Sequence, residues 1–284
     1  MTKTIHPGKM VTVNQHQMHI FTAGDGDKTF VFMAGSGTAA PTIDFKPLWQ
    51  ILAKKYRIVV IEKAGYGWSE ATTVSRDLAT MLEESREALH LANIQAPFIL
   101  VPHSMSGLEA LYWGQKYPTE VQAIIGLDPA VPAAYEKLKI PSKTNLKISK
   151  TLINLGVHRP FMKLVAKNVW KKRGTSLSSE DFQRYVDCYK ESLFSSDVIN
   201  EVLTVRENVA ICQKGEVPKD IPVYYFISDG KEIGLKEDWR PTLIAYLAQF
   251  ETSKYLLLDC GHYVHGERPE EIAEEIESFI TEIS

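Results

Sequence analysis

Short apolar runs rich in β-branched residues alternate with amphipathic helical stretches along most of this chain, and the alternation breaks only once. Residues 10–13 and 18–21 alternate in polarity around a polar turn, which predicts a hairpin. Runs at 29–33, 57–61, 98–101 and 121–127 then read as buried strands. Helical spacing occupies 45–56, 76–92 and 108–117 between them. From about 131 to 214 the periodicity is helical and no strand is predicted. Strands return at 223–227 and 255–258, with helices at 239–250 and 269–283. Such alternation implies a mostly parallel sheet with helices on both faces, because parallel neighbours need a crossover. The long helical interruption is predicted as a lid over the carboxyl edge of the sheet, where such sheets bind ligands. The predicted division is a core of 1–129 and 218–284 and a cap of 130–217.

Composition narrows the class. A chain of 284 residues, 44% hydrophobic and 24% charged, has material for a substantial core. A net charge of -3 supplies no global field for nucleic acid. Cys188, Cys212 and Cys260 are odd in number and widely spaced, unlike a disulfide framework or a zinc site, and fit a reducing compartment. No apolar run at the start reads as a signal peptide, and none elsewhere is long enough to span a membrane. The expected location is the cytoplasm.

The stretch FILVPHSMSGLEALYWG, residues 98–114, passes from strand-formers to helix-formers through a serine. A serine at a sharp strand-to-helix turn is lifted clear of the sheet, beside the positive end of the following helix. The tight turn needs small neighbours, usually in the pattern G-x-S-x-G. Here Pro102 and Ser106 stand in the glycine slots, and Gly107 follows. Proline ends a strand without needing to donate a ladder bond. Serine is small enough for the second slot. The plainer alternative is an ordinary N-capping serine.

Three further segments bear on that choice: Ala34-Gly35-Ser36-Gly37 after the third strand, Glu62-Lys63-Ala64-Gly65-Tyr66-Gly67-Trp68-Ser69 after the fourth, and Gly261-His262-Tyr263-Val264-His265-Gly266-Glu267-Arg268-Pro269 near the end. With His103-Ser104-Met105-Ser106-Gly107 they stand in an order, spread over almost the whole chain, that resembles the α/β-hydrolase fold family. The resemblance implies that fold, with a helical cap inserted after the sixth strand. It also implies Ser104 as nucleophile and His262 as its base, since serine needs a base and histidine serves near neutral pH. His265 is the rival base and His103 is expected to be structural. The other five histidines have no motif context.

The resemblance leaves the acid open. Most members carry it a few residues after the seventh strand, where the usual slot falls on Lys231, straddled by Asp229 and Glu232. A subset places it at the end of the sixth strand, which is Asp128 here. The order of preference is Asp128, then Glu232, then Asp229. The resemblance also assigns the oxyanion donors to the backbone N–H groups of Ser36 and Met105, with Gly35 and Gly37 admitting substrate. Ala34 replaces the family's usual histidine.

Residues 137–173 hold eleven Lys and Arg and no Asp or Glu, with apolar residues at helical spacing. Two readings stand: a basic face for an anionic membrane, and, preferred, a cap with solvated lysines whose apolar side lines a pocket. The expected activity is hydrolysis of a carboxylic ester, thioester, lactone or amide with an apolar portion. No metal or organic cofactor is expected, and no nucleic-acid partner. The alternatives are a hydrolase-like small-molecule receptor, a carbon–carbon bond hydrolase or an aminopeptidase. Ser104 in the nucleophile slot disfavours relatives that use aspartate there.

Overall fold

A computed structural model describes residues 7–138, 164, 166, 167, 170, 178–192 and 195–284. Among these residues, eight strands form one sheet in the order β1-β2-β4-β3-β5-β6-β7-β8. β1 (Lys9–Val13) and β2 (His16–Ala23) form the predicted hairpin, and β2 runs antiparallel to β4 (Arg57–Glu62). β3 (Thr29–Met33), β4, β5 (Phe98–Pro102), β6 (Val121–Leu127), β7 (Val223–Ile227) and β8 (Ser253–Leu257) are parallel. β3 lies between β4 and β5, so successive crossovers leave it in opposite directions. In open parallel sheets, a reversal of this kind is where ligands are bound, beyond the carboxyl ends of the strands on either side of it.

The apolar runs of the inner strands are continuous because each strand is covered twice. Val31 and Met33 enter one core with Leu100, Trp113 and Ile124, while Phe30 and Phe32 enter the other with Val101, Ile125 and Ile276. Helices α3 (Leu78–Leu91) and α4 (Ser106–Lys116) cover the first face. Helix α2 (Lys46–Leu52), preceded by the short α1 (Pro41–Asp44), helps cover the second. Helical spacing at 45–56 overran α2: its last four residues leave the helix in turns that lead into β4.

Between β6 and β7, the described residues include helices α5 (Ser179–Ser192) and α6 (Ser196–Lys214). α6 is a two-sided clamp. Its buried Val205, Val209 and Cys212 join the first core. A polar row at i, i+4, i+7 and i+11 holds the segment that enters α3: Asp197 accepts from Thr72 N–H, Thr204 donates to the Arg76 carbonyl, and Asn208 accepts from Leu78 N–H. Glu201 completes that row and is fully buried. After β7 come α7 (Trp239–Leu247), α8 (Val264–Glu267) and α9 (Pro269–Glu282). Most of the basic stretch at 137–173 lies outside the described residues. Of its described cations, Lys137 pairs with Asp238 at 2.6 Å. Among the described residues, no helix is long and apolar enough to cross a membrane.

Candidate active site

The serine is the middle of the three residues that link β5 to α4. β5 ends at Pro102 and α4 begins at Ser106. Pro102 lies opposite Met33, and the next residue supplies the donor that proline lacks: His103 N–H reaches the Met33 carbonyl at 3.0 Å. Ser104 has φ +54, in the left-handed region that L residues occupy at a cost of roughly 1–3 kcal/mol. The turn is held from several sides. The Ser106 hydroxyl accepts from His103 N–H at 2.9 Å and lies 2.7 Å from the Met33 carbonyl and 2.8 Å from that of His103. A glycine in that slot has no such clip. Ala130 N–H bonds the Ser104 carbonyl at 2.7 Å. Gly107 is required because a Cβ there would meet the Ala130 carbonyl at 2.3 Å.

The loop after β3 presses against this turn. A Cβ on Gly35 would stand 2.6 Å from the Ser104 Cβ and 2.8 Å from the His103 carbonyl, so only glycine permits the approach. The Gly35 carbonyl accepts from Thr38 N–H at 3.3 Å, and Gly37 takes φ +77. Ser36 is carried inside this closed turn, beside the serine. Met105 caps α4 on the other side. The two backbone groups implied as oxyanion donors therefore come from adjoining segments.

Asp128 follows β6, the strand beside β5. It is fully buried and has φ +52, a region aspartate tolerates better than most residues. One carboxylate oxygen accepts from Ser228 N–H at 2.8 Å and Trp239 Nε1–H at 2.7 Å. The other lies 2.6 Å from His262 Nδ1. A carboxylate partner sets Nδ1 as the protonated nitrogen and leaves Nε2 as the basic one. The His262 side chain is 16% exposed, so the imidazole is held from within and reachable from outside. Neither Ser228 nor Trp239 carried a sequence signal, because nothing in their spacing ties them to position 128.

The other two acid candidates take different partners. Glu232 accepts from the His262 backbone N–H at 3.1 Å. Glu267 accepts from Gly261 N–H at 3.1 Å, so two carboxylates brace the loop that bears His262. A Cβ on Gly261 would crowd both of them. Asp229 accepts from Lys231 N–H at 3.0 Å and pairs with the exposed Lys231 ammonium. That bond to Lys231 holds the Asp229 carboxyl below its ordinary range.

His103 is buried beneath His262, with ring centroids 4.6 Å apart, and its Nε2 lies 3.2 Å from the His262 carbonyl. Burial holds its imidazole well below the usual histidine range, and the neighbouring His262 and His265 act in the same direction. His265 is buried against the rings of Phe45 and His103. Burial pushes the Cys212 and Cys260 thiols up to about 12, which leaves them poor nucleophiles near neutral pH. Among the described residues, no group of three or more His, Cys, Asp or Glu side chains is arranged to hold a metal.

Comparison with known proteins places this geometry in context. The family described as alpha/beta hydrolase fold matches residues 41–148. Over 274 residues the chain is 34% identical to the uncharacterized protein YbdG of Bacillus subtilis (strain 168), spanning 93% of this chain and 83% of that protein. The solved structure of ALR0039 from Nostoc sp. PCC 7120 superposes with a TM-score of 0.75 at 16% identity, over 96% of this chain and 97% of that one. CarC, a serine hydrolase involved in carbazole degradation, gives 0.66 at 14% identity, over 96% of this chain and 98% of that one. At these identities the structural likeness is one of fold.

Proposed function

Because this chain belongs to the α/β-hydrolase fold family, we propose that it is a serine hydrolase acting on a carboxylic ester, thioester, lactone or amide. In this reading, the Ser104 hydroxyl attacks the substrate carbonyl as His262 Nε2 takes its proton. The negative oxygen is met by the N–H groups of Ser36 and Met105. His262 then returns the proton to the leaving group, and an acyl group remains on Ser104. Water, activated by the same imidazole, releases the acid. Asp128 holds the ring in the useful tautomer and stabilises the imidazolium.

The observation that carries the reading is the 2.6 Å contact between His262 Nδ1 and the buried Asp128 carboxylate. The carboxylate is oriented by two further donors and stands one strand from a serine in a left-handed turn. Residues 130–217 form the cap in this proposal, and those of its apolar side chains that do not join the first core, as Val205, Val209 and Cys212 do, receive the apolar part of a small substrate. The proposed place of action is the cytoplasm.

A fluorophosphonate probe tests the proposal. It is expected to label the purified protein once, at Ser104, with loss of labelling in Ser104→Ala. A folded wild-type protein that neither reacts with the probe nor turns over short aryl esters overturns the serine hydrolase reading. Saturable ligand binding by such a protein would favour the receptor alternative.

A further inference from the structure

Hydrogen bonding between β7 and β8 continues past the strand ends into the site. Leu258 N–H bonds the Ile227 carbonyl at 2.8 Å, and Asp229 N–H bonds the Cys260 carbonyl at 3.2 Å. The segment after β7 supplies the Ser228 N–H that holds Asp128 at 2.8 Å. The segment after β8 leads on to His262. Arg240, in the first turn of α7, spans both. Its Nε–H donates to the Ser228 carbonyl at 3.0 Å, and its Nη2–H donates to the Leu258 carbonyl at 2.8 Å. Nη2 also lies 3.0 Å from Asp259, but that side chain is 92% exposed, so the ion pair adds little. The two carbonyls are the anchors. The neighbouring Trp239 donates to Asp128 directly. The first turn of α7 thus reaches the acid twice, once by an indole and once through the Ser228 backbone.

We propose that Arg240 is a positioning residue for the triad, holding the Ser228 donor in a fixed relation to the loop that bears His262. The inference rests on the serine hydrolase reading above. Ser228 is buried and held at both of its backbone groups, its N–H on Asp128 and its carbonyl on Arg240. A guanidinium presents its donors in one rigid plane, so the two carbonyls it bridges are kept in register as a flexible ammonium would not keep them. The bridged segments meet again where Asp128 touches His262 Nδ1 at 2.6 Å. That contact matters most when the imidazolium forms during attack. Slack in it therefore lowers kcat more than it raises KM.

Arg240→Met keeps most of the stem and deletes every donor. Turnover of a short aryl ester is measured with kcat and KM resolved, beside fluorophosphonate labelling of Ser104 and thermal unfolding. The expected result is a fall in kcat of about fivefold, with KM within about twofold. If this variant does not fold, Arg240→Lys serves instead. It places one ammonium where two carbonyls are bridged, and a fall in kcat of about twofold or more is expected. The same substitution is then made in Asp128→Asn. A residue that acts by aiming the Asp128 carboxylate has no charge left to aim there, so it should change kcat by less than about twofold. Wild-type kcat in the folded variant, a rise in KM with kcat intact, or an equal fall in both backgrounds overturns the positioning role, while the labelled serine keeps the hydrolase reading. Failure of the wild-type protein to label at Ser104 overturns both.

Discussion

The ends of β6 and β7 each offer carboxylates within reach of the His262 loop, and they treat them in opposite ways. Beyond β6, Asp128 has no exposure at all. Taking a carboxylate out of water costs several kcal/mol, and three hydrogen bonds are needed to offset it. Asp128 has three: from Ser228 N–H, Trp239 Nε1–H and His262 Nδ1–H. At roughly 1.5–3 kcal/mol for each bond to a charged group, they match that cost. Beyond β7, Asp229 is paired with an exposed lysine, and Glu232 takes a backbone N–H. One end holds a charge in place against an imidazole; the other braces a loop. The lesson is that burial together with a complete set of donors marks the carboxylate that can orient a base. Position after a particular strand does not.

The largest effect should come from Asp128→Asn. It removes the charge behind the imidazole and permits the wrong tautomer, so kcat is expected to fall about two to four orders of magnitude. Thermal unfolding measured beside the kinetics shows whether the protein remains folded. A mild effect here, with a crippling one at Glu232, would move the acid to the end of β7.

Trp239→Phe sharpens the contrast from the other side. It leaves an aromatic ring and removes one donor from Asp128. A decrease in kcat of about tenfold is expected, the scale of an orienting partner. An unchanged kcat in a folded variant would mean that Ser228 and His262 suffice to hold the carboxylate.

Glu232→Gln and Asp229→Asn should be the mildest. In the first, the substituted amide still offers an oxygen to the His262 N–H, so kcat is expected to change by less than about tenfold. At position 229 the partner is the exposed Lys231, and aryl ester kinetics should match the wild type. A large loss at position 229 breaks the comparison outright.

Much of the fold was legible because its signal is local. The 29–33 run reappears as β3 with the same bounds, and the hairpin, the parallel sheet and the final helix follow their predicted periods. Ends were less legible. The helix predicted at 239–250 stops at Leu247, where its last residues close into turns. The short α1 and α8, four residues each, are below the length at which a period can be read. At the site, Pro102 before Ser104, with Ser106 and Gly107 after it, announced a tight turn. The clip made by the Ser106 hydroxyl did not announce itself, since Met33, which it reaches across the sheet, is brought there only by the pairing of β3 with β5.

The sequence alone determined the alternation that builds the sheet and the tight turn at Ser104. These follow from local sterics and from the period of apolar residues, which a chain carries whatever surrounds it. Only the tertiary structure decided how 128, 228, 239 and 262 come together, and how Tyr66, Glu201, Lys63 and Glu109 join in one buried network. The physical reason is that a buried charge is tolerated only where donors from distant segments converge. That convergence is a property of strand order and helix docking, not of any interval along the chain.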